Sequence, residues 1–573
     1  MRLAFSLIVI PVGLVLTGIS LFPQGIAVAD RPSAGAPVRS TLPFHATFTD
    51  VAAQAGITAK FVQGNPANRR YIVEANGTGV ALVDIDNDGL LDAFLVNGST
   101  FAKSPLPPTN HLYRNAGGGR FQDVTKASGT GRSGWGNGVC AGDFDNDGFT
   151  DLYVTYWGRN SLFRNTGKAS FVDVAEAAGV AGSGTDWSTG CTFTDFDRDG
   201  LLDLFVVTYA GFDLKSTPLP GQLPTCKYRD KPVFCGPRGL PFGRAFLYRN
   251  KGGGKFEDVS IASGIRKPQG FYGFTAVAAD FNGDGWQDIY VASDSTPSLL
   301  FRNNGNGTFS EVATESGIAF NENGTEQAGM GLAAGDANGD GTLDIVKTNF
   351  IRDYPNLYSN LGKGFFEDRA VIAGLAVNPQ YLLWGAGLED FDNDGLRDIF
   401  LTSGHVYAGD PAEPWATSRL LYRQLPGGKF EDVSAMAGAG VTERQSSRGA
   451  AFGDFDSDGD IDVLIMNMDR APSLLRNDLK SSNHWLRVQL QGVVSNRSGI
   501  GAVVSVEAGG RTQTSVVLSQ SSYLSVNDLG LHFGLGFTDR VDRVVVRWPN
   551  GKAEAFSGIQ VDRPVLLKEG SSQ

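Results

Sequence analysis

The chain has 573 residues, of which 75 are Gly and only 19% are charged, with a formal net charge of −12. That is ample material for a core interrupted by many turns, the profile of a large, cut-up β structure. No basic stripe runs through it, which excludes a nucleic-acid partner, and no apolar run beyond the N-terminus approaches membrane-spanning length.

Residues 1–29 read as a secretory signal peptide. Arg2 supplies the positive start, Leu3 to Phe22 is almost wholly apolar, and Ala27-Val28-Ala29 offers a cleavage site before Asp30. Pro11 and Gly13 interrupt the run and disfavour an uncleaved anchor, and the first 139 residues contain no Cys to carry a lipid. The mature chain is therefore expected in an exported location (secreted, periplasmic or extracellular), with no membrane span and with residues 30–43 as a Pro/Ser/Ala-rich linker.

From residue 84 a nine-residue loop recurs seven times with the spacing Asp-x-Asp/Asn-x-Asp-Gly-x-x-Asp. Its oxygen positions are Asp84, Asp86, Asp88 and Asp92; Asp143, Asp145, Asp147 and Asp151; Asp195, Asp197, Asp199 and Asp203; Asp280, Asn282, Asp284 and Asp288; Asp336, Asn338, Asp340 and Asp344; Asp390, Asp392, Asp394 and Asp398; and Asp454, Asp456, Asp458 and Asp462. Oxygens at positions 1, 3, 5 and 9 around a turn-making Gly at 6 suit a hard cation, and Ca²⁺ fits best. Position 12 of the first copy is Leu95 where an EF-hand has Glu, and a strand-like run follows rather than a helix, so position 9 must supply the closing carboxylate. Isolated acidic turns are common, but seven at related spacing are not. About seven structural ions are expected, with weaker sites where Asn282 and Asn338 remove a charge. Seven divalent ions would turn −12 into about +2, so the acidity belongs to the empty protein.

Between the loops stand Phe48-Thr-Asp-Val, Phe121-Gln-Asp-Val, Phe171-Val-Asp-Val, Phe256-Glu-Asp-Val, Phe309-Ser-Glu-Val, Phe366-Glu-Asp-Arg and Phe430-Glu-Asp-Val, most of them after a Leu-Tyr-Arg-Asn-like run and a Gly-rich turn. Each unit thus holds four short strands, and such units repeated along a chain predict an all-β fold, a seven-bladed β-propeller over residues 44–480. The last unit ends at Ser473 to Asn477 without a Phe-x-Asp-Val, so the N-terminal copy at Phe48 is expected to complete the seventh blade.

Five residues before each first Asp stands Gly79, Gly138, Gly190, Thr275, Gly331, Gly385 or Gly449, which marks the innermost strand, where side chains have little room. Eight residues before it, three units place Trp135, Trp187 and Tyr272. They are expected together at the channel mouth opposite the acidic hairpins, either capping blade cores or forming a ligand platform. The longest interruption, Tyr209 to Arg244, falls on the same face and contains Cys226 and Cys235, expected as a disulfide in an exported protein. Cys140 and Cys191 lie on equivalent inner strands of adjacent units, where a second disulfide or two buried thiols are both consistent with the parity of the strands.

Residues 483–570 form a separate small β unit, with strand-like runs at Trp485, Gly501 and Val541 to Trp548. Its motifs Ser495-Asn-Arg-Ser-Gly-Ile-Gly-Ala, Leu531-His-Phe-Gly-Leu-Gly and Val546-Arg-Trp-Pro-Asn-Gly resemble the ASPIC/UnbV domain, and the acidic loops resemble the FG-GAP repeats of integrin α-chain propellers. Together the halves resemble the cartilage acidic protein family, which has bacterial and extracellular-matrix members. The resemblance implies a secreted, calcium-loaded propeller engaged in adhesion or scaffolding, with an extracellular or envelope protein or a glycan as partner. The five His match no His-Glu-x-x-His spacing and no Gly-x-Ser-x-Gly is present, so a carbohydrate-active hydrolase or lyase working in a propeller-face cleft is the alternative, by fold analogy.

Overall fold

A computed structural model describes residues 43–408 and 412–572. The signal-peptide segment and nearly all of the 30–43 linker lie outside the described residues.

Seven four-stranded antiparallel sheets stand in a ring, and the inner strands of successive sheets pack side by side until the first meets the last. The second sheet shows the plan: Trp135–Gly142 inside, then Asp151–Trp157, Ser161–Asn165 and Phe171–Asp173 outside. In the last sheet the outer strand is Phe48–Asp50 from the N-terminal end, paired antiparallel to Ser473–Asn477 with Phe48 opposite Asn477.

Each repeated motif has a structural reason. The Asp of Phe-x-Asp-Val accepts the main-chain N–H two residues on, as Asp123 does from Thr125 at 2.9 Å and Asp432 from Ser434 at 3.0 Å. That bond starts one helical turn, which in Ala52–Ala55 and Ala370–Ala373 ends at Gly56 and Gly374 with φ of 91°. The Asn of Leu-Tyr-Arg-Asn is the staple between blades. Its amide donates to the carbonyl of loop position 2 in the preceding sheet: Asn165 to Ile85, Asn250 to Phe144, Asn303 to Phe196 and Asn360 to Phe281, each at 2.8 Å. Asn477 does the same to Phe391 at 2.9 Å, Gln424 replaces Asn in the sixth sheet, and Asn115 donates to Phe455 at 2.8 Å to close the ring.

The C-terminal unit packs two sheets around a common core. One contains Leu531–Gly536, His484–Gln491 and Arg563–Lys568; the other contains Arg511–Val516, Val503–Ala508, Arg543–Arg547 and Ala553–Phe556. Its apolar interior, including Leu486, Val506, Phe533 and Trp548, continues without a break into Phe144, Phe193 and Leu202 of the second and third propeller sheets. The unit sits on the hairpin face of the ring. From it, residues 518–527 run into the central channel and pair with the inner strands: Leu82 N donates to Val526 O at 3.1 Å, Val139 N to Leu524 O at 3.0 Å, Ala141 N to Ser519 O at 3.1 Å and Leu332 N to Ser522 O at 2.7 Å.

The inner glycines answer to two neighbours: the plug at Gly79, and the main chain of the next blade at Gly138 and Gly190, where a Cβ would lie 2.5 Å from Thr189 O and 2.1 Å from Phe274 O. A Cβ on Gly79 would lie 1.7 Å from Leu524 O, and one on Gly331 would lie 2.9 Å from Ser522 O and 2.0 Å from Trp384 O. Main chain of the plug or of the adjacent inner strand occupies the space a side chain would need.

Candidate metal loops and the sealed channel

Each acidic loop is a hairpin folded around its first Asp. Asp143 accepts the N–H of Asp147 at 3.0 Å and of Gly148 at 2.7 Å, and Asp84, Asp390 and Asp454 accept from the same two loop positions. Position 6 needs a positive φ (86° at Gly89, 95° at Gly459), which Gly meets without strain. Position 9 has two tasks. Asp92 accepts from Ile85 N at 3.0 Å and Asn115 N at 2.7 Å, and Asp151 and Asp462 repeat this, so the carboxylate expected to close the site also fastens the loop to the third strand.

In five loops three carboxylates converge so that one oxygen of each lies within 4.8 Å of the others: Asp84, Asp86 and Asp92; Asp143, Asp145 and Asp151; Asp195, Asp197 and Asp199; Asp390, Asp392 and Asp398; Asp454, Asp456 and Asp462. The third loop gathers positions 1, 3 and 5, whereas the other four gather 1, 3 and 9. Position 5 turns outward in the first two loops, where the third-strand Arg holds it: Arg114 donates to Asp86 at 2.5 Å and Asp88 at 2.8 Å, and Arg164 to Asp145 at 2.5 Å and Asp147 at 3.3 Å. The loops with Asn282 and Asn338 keep the same turn, with Asp280 and Asp336 each accepting from loop positions 4, 5 and 6.

The donor set fits a hard cation on a direct observation. Asp86 Oδ1, Asp195 Oδ1, Asp392 Oδ1 and Asp456 Oδ1 are buried and accept no hydrogen bond. A buried carboxylate oxygen without a donor costs free energy, and a bound ion removes that cost. The clusters show the strain electrostatically. Burial, then neighbouring carboxylates, pushes Asp143, Asp195 and Asp454 up to about 7, and burial takes Asp92 to about 7 and Asp151 to about 9.

Without metal these groups therefore hold protons that unfolded carboxylates, with pKa near 3.9, release. Between about pH 4 and 7 the folded form binds more protons, so metal-free stability falls as pH rises, by up to about 1.4 kcal/mol per pH unit for each such group. A cation competes with those protons and acts in the opposite sense. Metal-stripped protein is expected to melt lower at pH 8 than at pH 5, and the gain in Tm on adding calcium to be larger at pH 8. The reverse order in a pair of thermal melts would remove the role of these carboxylates.

Position 4 was passed over in the sequence, yet its residue is in the left-handed region in all seven loops: Asn87, Asn146, Arg198, Gly283, Gly339, Asn393 and Ser457 have φ from 57° to 77°. Asn and Gly tolerate that region, and their recurrence there was the available signal. Three of the Asn side chains also reach the next loop. Asn87 Nδ2 donates to Gly148 O at 2.8 Å, Asn146 to Gly200 O at 3.0 Å and Asn393 to Gly459 O at 3.0 Å, so neighbouring loops share hydrogen bonds.

The C-terminal motifs meet these loops. Ser498 Oγ accepts from Asp143 N at 3.0 Å, Arg497 N donates to Asn146 Oδ1 at 2.9 Å, and Asn483 Nδ2 donates to Asp392 O at 2.9 Å. His532 Nε2 lies 2.7 Å from Asn393 Oδ1; burial, with Arg397 and Arg487 nearby, lowers its pKa to about 3 and keeps the ring neutral.

The opposite mouth is closed by aromatics. Trp135, Trp187 and Tyr272 do come into one cluster, but Trp187 is 0% and Tyr272 2% exposed, and only Trp135 is half-buried, against Phe101 at 4.6 Å. The open platform of Trp135, Trp187 and Tyr272 is corrected to a packed cap, because the Tyr209 to Arg244 insertion lies over it. Phe212 of the insertion packs on Trp187 at 5.8 Å, and the plug's Tyr523 packs on Trp384 from below at 4.9 Å. The insertion spans the mouth: Arg238 reaches Ser295 O at 2.8 Å, and Tyr228 and Arg229 hold the buried Glu413 across the ring. Cys226 and Cys235 are bonded and bracket the hairpin that carries Tyr228 and Arg229. Of the two alternatives for Cys140 and Cys191, a second disulfide or buried thiols, the structure shows the thiols. Both are free, buried thiols, with Cys191 Sγ receiving Gln520 Nε2 of the plug at 3.6 Å.

Fold and loops together define a closed β-propeller of acidic-hairpin repeats, joined to a C-terminal β unit that fills its channel. The pattern of the FG-GAP-like repeat matches residues 84–154, 143–206, 233–291, 280–346 and 390–465, and that of ASPIC and UnbV matches residues 492–573. The chain belongs to the FG-GAP-like repeat family and carries an ASPIC and UnbV domain after the repeats. It is similar to cartilage acidic protein 1 of Mus musculus, 30% identical over 295 residues (50% of this chain and 42% of that protein), and of Homo sapiens, 29% over 305 residues (52% and 43%). The match thus spans under half the length of those relatives. Among solved structures, an Agrocybe aegerita lectin recognising non-reducing terminal N-acetylglucosamine overlaps with a TM-score of 0.36 at 16% identity, covering 64% of this chain and 87% of that one. BBS1N in complex with ARL6DN overlaps with a TM-score of 0.40 at 10% identity, covering 77% and 99%.

Proposed function

We propose that the protein is an exported, calcium-loaded propeller that serves as an adhesion or ligand-binding scaffold, with its domain boundary at residues 480–483. The observation that carries the calcium reading is the set of buried loop oxygens that accept no hydrogen bond, at clusters of three converging carboxylates. Asp and Asn side chains at loop positions 1, 3, 5 and 9 would hold the ions, whose chemistry here is structural: they neutralise the clusters and set the face on which the C-terminal unit rests. No helix among the described residues is long and apolar enough to cross a membrane.

With the channel filled by residues 518–527 and its far mouth capped, a partner would meet the outer surfaces of the blades. The hydrolase or lyase alternative relied on a cleft at that mouth, where Trp187 and Tyr272 are buried. The test is retention of the protein on immobilised alginate, polygalacturonate, hyaluronan and dextran in millimolar calcium, with chain length read in parallel. Retention of uncut glycan that is lost on stripping calcium is expected. Shortened chains would replace the scaffold reading with an enzymatic one.

A further inference from the structure

On the rim away from the hairpins, the third sheet has an open groove of about 590 Å³ that none of the loops or motifs accounts for. Its floor is Phe242, 53% exposed, whereas Trp187 and Tyr272 of the channel mouth are buried. The ring is braced from behind by Tyr272 at 5.0 Å, whose hydroxyl donates to Leu240 O at 2.9 Å. Ile261, 85% exposed, adds an apolar wall.

The polar side of the groove is cationic in a chain of net charge −12. Arg244 is paired with Asp186 at 2.6 Å, but Arg266 has no carboxylate within ion-pair distance among the described residues. The carbon of its guanidinium stands over the Phe246 ring, 3.9 Å from the centroid, and its buried Nε donates to nothing. Contact with the ring restrains the guanidinium, and its two terminal nitrogens, which have no protein acceptor among the described residues, are the pair that can take a carboxylate in two parallel hydrogen bonds. Asp258, the groove's acid, is already engaged with Ser260 N at 2.9 Å and with the Ser260 hydroxyl. Gln269 adds an amide at the lip.

We propose that this groove binds a uronate unit of an anionic glycan, with the apolar face of the sugar on Phe242 and its carboxylate on Arg266. A flat exposed aromatic beside a fixed guanidinium suits a charged sugar ring. An acidic peptide is disfavoured because only Asp258 of the outer strand lines the groove, which leaves no run of main-chain groups for a strand to pair with. The proposal rests on the ligand-binding reading above and names its site and ligand class.

The experiment compares binding of calcium-saturated wild type, Arg266→Met, Arg266→Lys and Phe242→Ala to polygalacturonate, to dextran and to poly-glutamate, with thermal melts confirming that each variant is folded. Wild type is expected to bind polygalacturonate in a salt-sensitive manner. Arg266→Met and Phe242→Ala should each weaken binding about tenfold, and Arg266→Lys less, since it keeps the charge but loses the fork. Equal binding by all variants would overturn the groove while leaving the scaffold reading intact, as would binding of dextran but not polygalacturonate. Binding of poly-glutamate alone, lost in Arg266→Met, would overturn the glycan assignment. Binding of none of the probes by wild type would overturn the groove, and the panel above then decides separately whether the scaffold reading survives.

Discussion

Stripping calcium is expected to lower the melting temperature by roughly 3–10 °C and to make residues 518–527 cleavable by protease. Extracellular modules bind Ca²⁺ with Kd of about 10⁻⁴ to 10⁻³ M, so near millimolar calcium each site adds about 0.4–1.4 kcal/mol by mass action, or about 3–10 kcal/mol for seven independent sites. An unfolding entropy of about 2.1 cal/mol/K per residue over about 530 residues converts each kcal/mol into roughly 1 °C. Release of the plug follows from position: the C-terminal unit holds Asp143 N, Asn146 Oδ1, Asp392 O and Asn393 Oδ1, all of them loop atoms. Carboxylates left unneutralised would repel one another and distort the surface on which that unit sits. A melt unchanged in chelator, or a plug equally protected with and without calcium, would refute the structural role of the ion.

Gln520→Ala is expected to be among the most costly single substitutions, on the order of 2–5 kcal/mol, although Gln520 lies outside every acidic loop. Its Oε1 accepts from Cys191 N at 3.2 Å and Ala276 N at 3.3 Å, and its Nε2 donates to Val139 O at 2.8 Å. One buried amide thus satisfies main-chain groups on the inner strands of three adjacent sheets. Truncation leaves those groups without partners in a place water cannot easily reach. Gly79→Ala attacks the same seat from the other side, since the new Cβ would collide with Leu524 O and main chain cannot rotate away. Both variants should melt lower and show increased hydrogen exchange at residues 518–527. Normal protection there in Gly79→Ala would show that the plug is not seated as described.

Much of the architecture was legible because it repeats. Seven copies of one loop and of Phe-x-Asp-Val identify a short-range geometry, an Asx turn or a hairpin, in which each residue type answers to neighbours a few positions away. The Cys226–Cys235 bond was equally local, nine residues apart. The role of the Asn in Leu-Tyr-Arg-Asn was not legible, because its partner carbonyl lies a whole unit away, as with Asn165 and Ile85. The aromatic cap was half-read: spacing placed Trp135, Trp187 and Tyr272 on one face, but burial depended on where a 36-residue insertion falls, and nothing in a linear pattern says whether a long loop stands open or lies flat.

The sequence by itself determined the all-β repeat, the order of strands, the closure of the last sheet by Phe48–Asp50, and the carboxylates that could hold a cation, because each is encoded by residue type at short, recurring distance. Only the tertiary structure decided that the channel is occupied and which thiols stay free. Those outcomes join residues hundreds of positions apart, such as Ala81 with Val526 and Leu332 with Ser522. Nothing in the pattern of residues 518–527, a mix of Ser, Gln and apolar side chains, marks them as a plug; the ring around them supplies the unpaired N–H and C=O groups that they satisfy.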